Sequence, residues 1–124
     1  MVNKVLLVDD SVSMRQMTSI ILKQAGYEVM EAVDGKDALE KFSDEIGVLI
    51  TDYNMPNMNG IDLIKSVRGG EVNKSVPILM ITTESEDEKK MEGKKAGATG
   101  WITKPFDKDT LLSTLKKVSD TVNF

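Results

Sequence analysis

The chain has 124 residues, is 40% hydrophobic and 29% charged, and carries a formal net charge of −4, which fits one domain, residues 1–124, around one core. It has no cysteine and no histidine. That excludes thiol and imidazole catalysis, disulfide staples and the usual zinc sites, and leaves oxygen ligands suited to hard cations such as Mg²⁺ or Ca²⁺. With no apolar run near the ~20 residues of a membrane span, no signal-peptide pattern and no basic stripe, the expectation is a cytoplasmic protein that binds neither membrane nor nucleic acid.

In chain order, the apolar run "KVLLV" (4–8) predicts a first strand, buried on both faces, that ends at Asp9 and Asp10. A helix over 12–25 follows, with Met17, Ile20, Ile21 and Ala25 as its apolar stripe. "EVMEA" (28–32) alternates polar and apolar, as a half-exposed edge strand does, and the next helix carries Ala38, Leu39 and Phe42. "GVLIT" (47–51) is a second doubly buried strand, running into Asp52, and Ile61, Ile64 and Val67 mark the helix after it. "PILMIT" (77–82) is a third, ending in Thr82 and Thr83, with Glu84 next.

The helix over about 86–96 has few apolar residues and an internal Gly93, which costs about 1 kcal/mol relative to alanine. It opens with a Ser85–Glu88 capping box, and its acids precede its lysines. It reads as a solvated face, or as a weakly anchored helix able to shift. "TGWIT" (99–103) is the other edge strand, followed by Lys104 and Pro105, and the last helix carries Leu111, Leu115, Val118 and Val122. Gly26, Gly35, Gly60 and Gly97 punctuate the pattern.

Five strands alternating with five helices make an α/β fold with a parallel sheet. Three doubly buried strands, two edges and right-handed crossovers favour the order 2-1-3-4-5, the flavodoxin-like arrangement. Ligands of such sheets bind beyond the carboxyl ends of the strands. There Asp9, Asp10, Asp52, Thr82 and Lys104 converge. Each has an ordinary reading alone: Ser11 as a helix cap after Asp10, Asp52 opening a turn with Pro56, Thr82 as a good strand former. Together they gather three mutually repelling carboxylates beside one ammonium, a conflict that a bound Mg²⁺ resolves. Its ligands are expected to be Asp9, Asp10, Asp52 and the backbone carbonyl of Asn54.

"LLVDDS", "TDYNMPNMNG", "MITTE" and "GATGWITKPF" resemble the receiver domain of two-component response regulators over about residues 4–121, and within that family the single-domain chemotaxis regulators. The resemblance implies that Asp52 accepts a phosphoryl group from a CheA-like histidine kinase, with Asp9 and Asp10 holding Mg²⁺. Thr82 and Lys104 would contact the phosphoryl group, and the Lys104–Pro105 peptide bond would be cis. Trp101 stands where the family has tyrosine or phenylalanine, an aromatic that switches with the hydroxyl residue. Asn54 and Glu84, each two residues past a site residue, are expected to tune the phosphoryl lifetime.

Signalling would run through a face made by helix 4, strand 5 and helix 5. The expected partners are the kinase, an output protein such as a flagellar motor switch protein, and a phosphatase, with the chain itself a monomer and not an enzyme. Other functions fit the pattern less well. A flavodoxin-like redox protein needs a phosphate loop where two acids stand. A haloacid-dehalogenase-like phosphatase needs a second acid two residues after its nucleophile, and a cap. An adaptor that has lost phosphorylation has no use for the full acid set.

Overall fold

Strands and helices alternate without exception in the computed structural model of the chain, which describes residues 4–82 and 87–121. The elements are β1 (Lys4–Val8), α1 (Val12–Gln24), β2 (Glu28–Ala32), α2 (Gly35–Lys41), β3 (Val48–Asp52), α3 (Gly60–Gly69), β4 (Ile78–Thr82), α4 (Asp87–Ala96), β5 (Gly100–Thr103) and α5 (Lys108–Thr121). All strand pairs are parallel, in the order β2-β1-β3-β4-β5. The expected fold and strand order are therefore the observed ones. β3 begins and ends one residue later than its apolar run predicts, so Asp52 is itself the last strand residue. Thr83, Glu84, Ser85 and Val122 lie outside the described residues.

Side chains alternate across a strand, and the core divides accordingly. Leu6, Val8, Leu49, Ile78 and Met80 point to the face covered by α2, α3 and α4, represented by Ala38, Ile64, Val67 and Ala96. Val5, Leu7, Ile50, Leu79 and Ile81 point to the opposite face, under Leu22 of α1 and Leu111, Leu115 and Val118 of α5. The central strands β3 and β4 are buried throughout, whereas β2 and β5 are partly exposed, as expected of edges.

The reading of α1 needs correction. Met17, Ile20 and Ala25 are exposed and Ile21 is half-buried; the buried residues are Thr18, Ser19 and Leu22. Apolar residues surround this helix, so their spacing does not single out one face, and two small hydroxyl residues fill the close approach to the sheet. Among the described residues no helix is long and apolar enough to cross a membrane.

Candidate functional site

Register sets the height of the site. Val8 of β1 pairs with Thr51 of β3, which places the next residues, Asp9 and Asp52, at the same level. Asp52 pairs with Ile81, and Thr82 with Thr103, so Thr82 and Lys104 follow at the same rim. Asp52 is the last residue of β3, and Asp9 and Asp10 are the first two beyond β1, where the rigid sheet stops and solvent begins.

Asp9 is held at both ends. Its Oδ1 accepts the Ser11 N–H at 2.9 Å, and its backbone carbonyl accepts Arg15 Nη1 at 2.7 Å. Arg15 Nε in turn bonds Glu31 Oε1 at 3.1 Å, tying the turn to β2. Ser11 also caps α1, its hydroxyl accepting the Met14 N–H, so the ordinary reading of Ser11 holds alongside the site.

Lys104 bridges the carboxylates, with its Nζ 2.9 Å from Asp52 Oδ2 and 3.6 Å from Asp9 Oδ2. Its backbone N–H donates to the Thr82 carbonyl at 2.8 Å, and the Lys104–Pro105 bond is cis, as expected. Asp52 and Asp9 are buried and Thr82 is fully so, whereas Asp10 and Asn54 are exposed.

Burial pushes the Asp52 carboxyl above the ordinary carboxylate range and outweighs the pull of Lys104 in the other direction. Burial also works against the Lys104 ammonium, but Asp52 and Asp9 together hold it above the usual lysine value. The site thus holds one cation among three acids and is short of positive charge.

One carboxylate oxygen from each of Asp9, Asp10 and Asp52 lies within 4.8 Å of the others. Ligand oxygens about 2.1–2.5 Å from one ion can be no more than about 4–5 Å apart, so the cluster fits a divalent cation. The all-oxygen donor set favours a hard one.

Other contacts that frame the notch have no sequence motif. The N-terminus of α3 lies against β3: the Gly60 N–H donates to the Tyr53 carbonyl at 2.9 Å, and a methyl group on Gly60 would overlap the Asp52 carbonyl oxygen. The loop between them is strapped to α2. Asn57, in a left-handed conformation (φ 67°), donates from Nδ2 to Asp34 Oδ2 at 2.9 Å, and Met58 fills the space above Gly35. Away from the notch, the Tyr53 hydroxyl bonds Glu92 of α4, and Trp101, 37% exposed, lies with Lys90 Nζ 5.8 Å from its ring centroid. The Ser11 cap and the Asx spacing of Asp9 and Ser11 are local enough to read from the sequence; the partners that frame the notch from α2 and α3 are not.

The family model of the response regulator receiver domain matches residues 5–116. The chain belongs to that family. Among curated relatives it is 45% identical over 121 residues to the chemotaxis protein CheY1 of Helicobacter pylori, covering 95% of this chain and 98% of the relative. It is 38% identical over 122 residues to the chemotaxis protein CheY of Pseudomonas aeruginosa, covering 97% and 98%. Among solved structures, CheY4 of Vibrio cholerae matches with a TM-score of 0.88 at 52% identity, covering 95% of this chain and 99% of that one. A CheY-like receiver domain protein of Methanospirillum hungatei matches with a TM-score of 0.89 at 27% identity, covering 98% and 97%. The receiver family and its fold, expected from the four motifs, are those of this chain.

Proposed function

We propose that the chain is a phosphoacceptor response regulator of the chemotaxis type, acting as one receiver domain over residues 1–124. The observation that carries this reading is the Lys104 ammonium bridging Asp52 and Asp9 beside a third carboxylate. An Asp52 carboxylate oxygen attacks the phosphorus of a phosphohistidine on a partner kinase. The new O–P bond forms as the P–N bond breaks, and the electron pair of that bond stays with the imidazole nitrogen, which takes up a proton.

The chain's own part is positioning and charge. The end of β3 holds Asp52 still, Lys104 faces the incoming phosphoryl oxygens, and Thr82 offers a hydroxyl at the same rim. Asp9, Asp10, Asp52 and the Asn54 carbonyl would hold Mg²⁺, which when bound neutralises phosphoryl oxygens. Asn54 beside the notch, and Glu84 beyond Thr82, would set how long the acyl phosphate survives water. On this reading the chain is a signalling protein and not a turnover enzyme.

The output surface is the face of α4, β5 and α5. A phosphoryl group brings up to two negative charges and new acceptor oxygens to the Thr82 rim, biasing an equilibrium between two arrangements of that face. Trp101 lies on it, beside Lys90, Met91 and Lys94. The relatives named chemotaxis proteins support a kinase as donor and a flagellar motor switch protein as target. The test is incubation with acetyl phosphate and Mg²⁺, followed by intact mass. The parent chain should gain one phosphoryl group and Asp52→Asn none; no gain in the parent, or an equal gain in the variant, would end the proposal.

A further inference from the structure

Tyr53 directly follows Asp52, and strand alternation sends its ring to the opposite side of the sheet, into the core shared with α3 and α4. The ring is buried. At its far end the hydroxyl donates to Glu92 Oε2 of α4 at 3.0 Å, and Lys89 Nζ lies 4.7 Å from the ring centroid. Lys89 and Glu92 are three residues apart, on one helix face. The backbone of Tyr53 is fixed: its N–H donates to the Ile81 carbonyl at 2.8 Å, and its carbonyl accepts the Gly60 N–H at 2.9 Å. Within Glu88–Ala96, by contrast, only Gly93 and Ala96 are buried.

We infer that Tyr53 is a positioning residue that sets where α4 rests relative to the phosphoacceptor strand, through its hydroxyl on Glu92 and its ring under Lys89. A charge-assisted O–H···O bond and a cation–π contact are directional, and both join a rigid strand to a helix with little buried surface. Any rearrangement that moves α4 must give them up. They therefore set the cost of leaving the resting arrangement, and a chain without them should sample the moved arrangement more often. What drives α4 in the cell rests on the phosphoacceptor reading; the tie itself does not.

The test uses the full chain with Tyr53→Phe, Glu92→Ala, the double variant, and Glu92→Gln, which keeps an acceptor. Amide hydrogen exchange is followed in α4 and α3, together with emission from Trp101, the single tryptophan, which lies beside α4. In the unphosphorylated protein, Tyr53→Phe and Glu92→Ala should each speed α4 exchange by about three- to ten-fold and leave α3 unchanged. The double variant should go no further than either single, and Glu92→Gln should fall closer to the parent.

With acetyl phosphate and Mg²⁺, both single variants should form the adduct faster than the parent. Parent-like α4 exchange in Tyr53→Phe, additive effects in the double variant, or an equal rise in α3 would each overturn the inference. An absent adduct in the parent would overturn the phosphoacceptor reading alone, because the exchange comparison needs no phosphoryl group.

Discussion

α3 and α4 have the same length, ten residues each, and pack against the same face of the sheet. α3 buries Gly60, Ile61, Leu63, Ile64 and Val67 and is capped by Asn59, whose Oδ1 accepts the Asp62 N–H at 2.8 Å. α4 comes close to the sheet at Gly93, because a methyl there would lie 2.6 Å from the end of the Met80 side chain. Ala96 also joins the core, and the ties from the outer residues of α4 are polar. One helix is held by the volume it buries and the other by contacts at its rim. The first is a wall for the notch, and the second is, on the proposed reading, the part that moves.

The largest test of this contrast is truncation. Ile64→Ala in α3 should lower the unfolding free energy by about 3 kcal/mol in urea, whereas Met91→Ala, on the exposed side of α4, should change it by less than about 0.5 kcal/mol. Equal losses would erase the distinction. Adding a methyl group sharpens it. Gly60→Ala drives Cβ into the Asp52 carbonyl, part of the backbone, and should cost about 2–3 kcal/mol. Gly93→Ala meets only the flexible end of Met80 and gains about 1 kcal/mol of helix propensity, so its net effect should stay within about 1 kcal/mol. Thermal unfolding of the two variants side by side gives the answer.

Beneath the wall the decisive contact is electrostatic. Lys104→Met leaves three acids without their cation and should destabilise the chain by about 2 kcal/mol in chelator, with part of the loss recovered in millimolar Mg²⁺. Failure of Mg²⁺ to raise the midpoint would remove the metal from the account. Asp52→Asn should do the opposite, by about 1 kcal/mol near neutral pH. The folded Asp52 carboxyl sits above its ordinary pKa, so the folded state holds that proton more tightly. The stability it confers is complete below the ordinary carboxylate value and is lost as pH rises through the raised one. The gain of the asparagine variant, followed by melting temperature against pH in chelator, should therefore fade on acidification through the carboxylate range. A gain that grows toward low pH would reverse the assignment.

The sheet and the acids were legible for one reason: strands buried on both faces leave uninterrupted apolar runs, and a charge that stops such a run stands out. "VLLVDD" and "VLITD" announce both the strand and the place where it meets solvent. α1 was not legible in the same way. Its Val12, Met17 and Ile20 are apolar yet exposed, while Thr18 and Ser19 are buried, so hydrophobic spacing did not single out the buried side. Gly93 reads as a weakness in a helix pattern until Met80, on the preceding strand β4, explains the need for a small residue. The Tyr53–Glu92 and Arg15–Asp9 contacts carry no local signature, because the partners are brought together by the fold and not by spacing along one element.

Asn57 carries one more consequence. With its left-handed backbone and its amide on Asp34, it moors the segment that leaves β3 to the start of α2. The outer strand β2 contributes none of Asp9, Asp10, Asp52, Thr82 and Lys104, yet the crossover it opens steadies their surroundings from two strands away. Drift at this far margin of the sheet would reach the carboxylate notch by leverage, without touching any of its side chains.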